Sequence, residues 1–174
     1  MGGFLMKKVV VLVLSLVLLC AAVSVLAEVK LGQVDFAAHG NKCFAVITAA
    51  VEDDKIVAAY IDEFQVLSKD EAQGVPNTET VFADLYADGK VLASKRVNNA
   101  LYSSMLKNNA KATMEIAANY DVIEAFAAGK TIAELEAAID GKTKEEMVDA
   151  VSGATLQDTL GYLQGILAAA KAAQ

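Results

Sequence analysis

The sequence predicts an α+β fold: a small antiparallel sheet packed against several helices, forming a single domain with a long C-terminal amphipathic helix. Three observations predict it. Two apolar, β-branched runs, 43–51 and 55–67, are separated only by the acidic break Glu52-Asp53-Asp54, the pattern of a hairpin. From Ser94 onward the composition becomes helical, with several readable helix starts. Near the C-terminus, Leu156, Leu160, Leu163, Leu167 and Ala170 recur at steps of four, three, four and three, which places one apolar stripe on a helix.

The N-terminus is set apart. Lys7 and Lys8 precede an uncharged apolar run, 9–27, and Val25-Leu26-Ala27 offers small residues at a signal-peptidase site. Residues 1–27 are therefore expected to be an export signal cut before Glu28. The run is also long enough to reach across a bilayer, so an uncleaved membrane anchor is the competing expectation. Lipid attachment at Cys20 is disfavoured, because Leu19 stands where lipoprotein processing needs a small residue. The predicted location is extracytoplasmic: periplasmic, at the cell surface, or secreted.

Residues 28–174 are long enough for one domain with one core. They hold 13 basic residues against 22 acidic ones, a net charge of −9. So acidic a surface repels phosphate backbones, which argues against nucleic acid as a partner. Cys43 is the only cysteine beyond the leader, and His39 the only histidine of the chain. The pair is too small for a Cys/His zinc site or an iron–sulfur cluster, and no Cys-x-x-Cys-His run is present for covalent haem. A chain of this kind that moved electrons would use an organic cofactor. No Gly-x-Ser-x-Gly elbow accompanies the histidine, so a hydrolase is disfavoured.

Along the domain, imperfect alternation in the two runs predicts a hairpin with one face buried and the other partly covered. Residues 68–80 contain Gly74 and the only proline, Pro76, and read as a loop. Residues 82–91, with Asp88-Gly89 inside, suggest a short strand pair or turn. Helix is predicted from Ser94 through Leu106. Asn119 or Asp121 is expected to cap a second helix running to Ala128 and closed by Gly129. Thr131 with Glu134, and Thr143 with Glu146, are capping boxes that open two further helices, the first ending near Gly141. Thr155 is expected at the N-cap of the last helix, on which Gly161 and Gly165 would permit close packing.

The segment with the most chemistry is Asp149-Ala150-Val151-Ser152-Gly153-Ala154-Thr155. Gly153 lets the backbone turn tightly beside a ligand. A helix starting at Thr155 would aim its unpaired N–H groups and the positive end of its dipole at an anion such as a phosphate. Taken alone, the residues favour a plain helix start, with Thr155 and Asp158 as a weak capping box.

This segment resembles the flavinylation motif of FMN-binding domains, Asp-x-x-(Ser/Thr)-Gly-Ala-Thr. Members of that family include small extracytoplasmic flavoproteins and the covalently flavinylated subunits of sodium-pumping NADH:quinone reductase and of related ferredoxin-linked complexes. The resemblance implies FMN joined through a phosphoester to Thr155 by a flavin transferase that uses FAD. Asp149, Ser152, Gly153 and Ala154 would be that enzyme's recognition elements and the phosphate surroundings. It implies an electron carrier more than an enzyme, exchanging electrons with redox partners outside the cytoplasm. Looser similarity covers most of residues 34–170. The chain departs from the family at Gln157, where another Thr or Ser is common, and Asp158 follows it, an acid that would repel a nearby phosphate diester.

Tyr60, Phe64, Tyr86, Tyr102 and Tyr120 are the candidates to stack on an isoalloxazine ring. Lys95 and Arg96 are candidate partners of the phosphate or the flavin's N1–O2 edge, but read more simply as a solvated helix start. His39 reads as a surface turn residue and Cys43 as a small buried hydrophobe. Two competing functions share this scaffold: a module that binds FMN without a bond, and a structural or adhesive surface protein in which the turn is only a cap.

Overall fold

The computed structural model describes residues 28–40, 42–77, 87–110, 112–151 and 153–174. The expected export segment 1–27, Tyr86 and Ser152 lie outside the described residues. No helix among the described residues is long and apolar enough to cross a membrane.

The fold is α+β, as expected. Four antiparallel strands, β1 (Lys30–Phe36), β2 (Cys43–Glu52), β3 (Lys55–Ser68) and β4 (Lys90–Ser94), form a sheet in the order β1-β2-β3-β4. Five helices accompany it among the described residues: α1 (Asn99–Ala110), α2 (Ile116–Ala127), α3 (Ile132–Ile139), α4 (Lys144–Ala150) and α5 (Thr159–Ala172).

The hairpin forms where the acidic break predicts it. Asp53 and Asp54 both take positive φ, 46° and 67°, as a two-residue turn matched to strand twist requires. On β2, Cys43, Ala45, Ile47, Ala49 and Val51 are buried in strict alternation. The register shifts at Ala50/Val51, so the buried face of β3 passes from Ile56 to Ile61 and Glu63. That bulge is the reason alternation looks imperfect in the sequence. Strand β1, which no run singled out, pairs with β2 along its whole length. Its helix-facing positions include Gly32, whose missing side chain hides the alternation from a hydrophobicity reading.

Both capping boxes are present. The Thr131 and Thr143 hydroxyls accept from the N–H groups of Glu134 and Glu146, and each glutamate carboxylate accepts from its threonine's N–H. Gly129 and Gly141, with φ of 85° and 65°, follow the ends of α2 and α3. Three helix starts differ from expectation. Ser94 closes β4 and turns the chain by accepting from Val97 N–H at its Oγ and Asn98 N–H at its C=O, so α1 begins only at Asn99. Helix α2 begins at Ile116, leaving Asn119 buried inside it and Asp121 within its body. Helix α5 begins at Thr159, four residues beyond Thr155. Its buried face is centred on Tyr162, Leu163, Ile166, Ala169 and Ala170, while Leu160 and Leu167 pack at the edge of the core.

Helix α5 lies across β1 and β2 at unusually close range, as the glycine spacing suggests. A Cβ on Gly32 would overlap the backbone of Ala169 and Ala173, and one on Gly161 would reach Ala38 O at 2.6 Å. At Gly165 the obstruction is the mobile end of Ile47 and the Phe36 ring. Gly32→Ala is therefore expected to destabilise by about 3 kcal/mol, and Gly165→Ala by nearer 1 kcal/mol because the Ile47 tip can rotate away. Urea titrations of the two variants check both the size and the order.

Candidate functional site

A cleft of about 410 Å³ opens where the β1–β2 connection, the residues after β4, α1 and the segment before α5 converge. His39 and residues 155–158 stand on one side. Tyr102, Leu106 and Ile116 stand on another, and Lys95 and Tyr162 contribute from the core.

Thr155 lies on this cleft, but not as a helix cap. Its N–H and its hydroxyl both donate to Asn119 Oδ1, at 2.7 and 3.1 Å. Asn119 is held in turn by its own NH₂ group, which donates to the C=O of Met114 and of Glu115. A buried amide on α2 thus fixes a threonine that no helix terminus could hold, and the N-cap expectation is corrected. The N-cap of α5 is Asp158, with no side-chain capping bond. Of the other described motif residues, Gly153 and Ala154 directly precede Thr155. Gly153 has φ of 91°, with Met114 and Val122 as its neighbours, so its conformation is one that glycine adopts without strain. Ala154 is buried and donates its N–H to Val151 O at 2.9 Å. Asp149, in the last turn of α4, lines a separate hollow with Lys144, Val148 and Gln157.

Asp158 is not a bare charge. Lys144 Nζ donates to its Oδ1 at 2.5 Å, and His39 Nδ1 lies 2.5 Å from its Oδ2. Burial acts to raise its pKa, but the bonds from Lys144 and His39 outweigh it and hold the carboxyl below its usual value. His39 is a turn residue, as expected, yet it also ties the β1–β2 connection to the start of α5.

Behind the site lies a buried polar cluster. Glu63 on β3 is fully buried and forms an ion pair with Lys95, itself 1% exposed. The Glu63 carboxylate also accepts from Tyr162 at 2.8 Å, Tyr120 at 3.2 Å and the Cys43 thiol at 3.3 Å. Lys95 Nζ lies 4.4 Å from the centre of the Tyr102 ring, a cation–π contact. Burial acts to lower the Lys95 pKa, but the Glu63 charge outweighs it and keeps the ammonium protonated. Burial, then the Glu63 charge, pushes the Cys43 thiol up to about 11. Burial first also raises both tyrosines, followed by the Glu63 charge for Tyr120 and by Tyr120, ahead of Glu63, for Tyr162.

The expectation of a solvated helix start at Lys95 and Arg96 is therefore overturned. Arg96 is equally engaged, donating to Ile61 O, Asp121 and Glu124 and stacking over Tyr60 and Tyr120. Among the described aromatic candidates, Tyr102 lines the cleft and Tyr120 lies in the buried cluster. Tyr60 is 53% exposed, and Phe64 stacks on Phe44 beside a hollow at the end of the sheet. Glu63 and Tyr162 were not anticipated. Glu63 sits in an apolar run at a position whose burial depends on the bulge, and Tyr162 looks like one more residue of an amphipathic helix.

No family model matches this chain, and neither a curated protein nor a solved structure matches it.

Two outcomes are expected. In a Cys20→Ser background, Cys43 should resist iodoacetamide at pH 8 until the protein is unfolded, because it is both buried and protonated; mass spectrometry before and after adding urea reads this. A carboxyl whose pKa is lowered by folding adds stability above its ordinary value and loses it as pH falls through the folded one. The stability advantage of wild type over Asp158→Asn, read by urea titration, should be full at about pH 5 and fade below the carboxyl's ordinary 3.8.

Proposed function

We propose that this chain is an exported FMN-binding protein, flavinylated through a phosphoester on Thr155, that serves as an extracytoplasmic electron carrier. The observation that carries this reading is that Thr155, the attachment residue implied by the motif, shares a cleft with Lys95, Tyr102 and Tyr162.

The residues suit the group. A volume of about 410 Å³ falls in the range of roughly 300–1,000 Å³ usual for cofactor sites. The walls combine apolar side chains, Leu106, Ile116 and Leu156, with aromatic faces and one buried cation. Thr155 is positioned through two bonds to Asn119, and esterification of Oγ1 would remove only the hydroxyl's donated bond, leaving the one from N–H. Asp158, the departure most unfavourable to a phosphate, has its charge met by Lys144 and His39. When bound, FMN supplies one- and two-electron chemistry, and the chain supplies position and electrostatics. A covalent bond suits a compartment in which a dissociated cofactor would be diluted away. The partners this reading requires are a flavin transferase for loading, and a donor and an acceptor of electrons.

The test is the intact mass of the chain co-expressed with a flavin transferase in an exporting host. The expected gain is one FMN less one water, absent from Thr155→Ala. A yellow protein of unmodified mass would establish the non-covalent module instead. A colourless, unmodified protein would leave the turn as part of a structural or adhesive domain.

A further inference from the structure

The ion pair between Lys95 and Glu63 has an orientation as well as a location. Lys95 and Tyr162 are on the cleft wall, whereas Glu63, Tyr120 and Cys43 are not among the residues that line it. The carboxylate therefore stands behind the ammonium, and the pair presents its positive end to the cleft. The other formal charges on the lining are at the rim, where Asp158 is met by His39 and Lys144. At 1% exposure the Lys95 charge is shielded from water and salt, so its field in the cleft is offset by the Glu63 carboxylate behind it and not by solvent.

Net stability does not account for an ion pair at this place. A buried ion pair is commonly no more stabilising than an apolar pair of the same size, because desolvation offsets the attraction. Its use follows from what occupies the cleft. We infer that Lys95 is the residue that tunes the flavin carried at Thr155, raising its reduction potential by holding a buried cation on the cleft wall. The inference rests on the flavin reading above. Electrons taken from an external reductant add negative charge to the ring system, and a fixed cation beside it favours the reduced form. Glu63 acts through Lys95, as a positioning residue: it keeps the amine protonated and directed to one place. Tyr162 and Tyr120, by donating to Glu63, hold that carboxylate in turn.

The experiment uses the full chain, co-expressed with a flavin transferase, as wild type, Lys95→Met and Glu63→Gln/Lys95→Met. Lys95→Met strands a buried carboxylate, so the double variant, which leaves no unpaired charge, is the deciding one. Each is checked by intact mass and then titrated with dithionite beside a reference dye, the visible flavin spectrum giving the midpoint potential. The expected result is equal loading and a midpoint below that of wild type in both variants, lower in Lys95→Met, where the acid remains. A loaded double variant with the wild-type midpoint would overturn the role of Lys95 while leaving the flavin reading intact. A wild type that gains no flavin mass and shows no flavin spectrum would overturn the flavin reading itself and this inference with it. The two failures are thus read from different signals.

Discussion

A carboxylate buried on the helix-facing side of a sheet must be surrounded by donors, and Glu63 imposes that requirement on the whole domain. Its partners come from β2 (Cys43), from the turn after β4 (Lys95), from α2 (Tyr120) and from α5 (Tyr162). Those four positions span most of the described chain, so satisfying one side chain fixes how the meander, the middle helices and the last helix meet. Tyr120 and Tyr162 also meet edge to face, 5.2 Å between ring centres, which closes the apolar core around the charge. Removing any one donor would leave the acid under-satisfied in a place that water does not reach.

The parts of the fold legible in the sequence are those fixed by neighbours along the chain. Asp53-Asp54 marks the hairpin because two adjacent residues must both accept positive φ. Thr131 and Thr143 mark helix starts because each box closes within four residues. What was not legible depends on distant partners. Thr155 and Asp158 imitate the spacing of a capping box, but the Thr155 hydroxyl donates to an amide 36 residues earlier, and the helix waits until Thr159. Lys95 and Arg96 look like any charged pair before a helix. Their acceptors, Glu63 and Ile61 on one side and Asp121 and Glu124 on the other, are invisible until strand and helix are placed.

The candidate site divides along the same line. The motif directed attention to Thr155, whereas nothing local announced its companions on the cleft. Asn119, read as a helix cap, instead acts from inside α2 as the anchor of Thr155. Asp158, read as an obstacle to a phosphate, is one corner of a rim contact with His39 and Lys144. In each case the role of the residue is set by a contact more than a helical turn away along the chain.

The close seat of α5 against β1 and β2 also governs when the molecule can exist as a folded body. The first strand and helix α5 touch through Gly32 and Gly165, and the residues joining them are the rest of the domain. Until α5 has been synthesised, β1 and β2 lack the main cover of their apolar side, and Glu63 lacks the tyrosine of that helix. Contacts of such long sequence separation form late and slowly. A growing chain of this design keeps this side of its sheet open until α5 is free to dock.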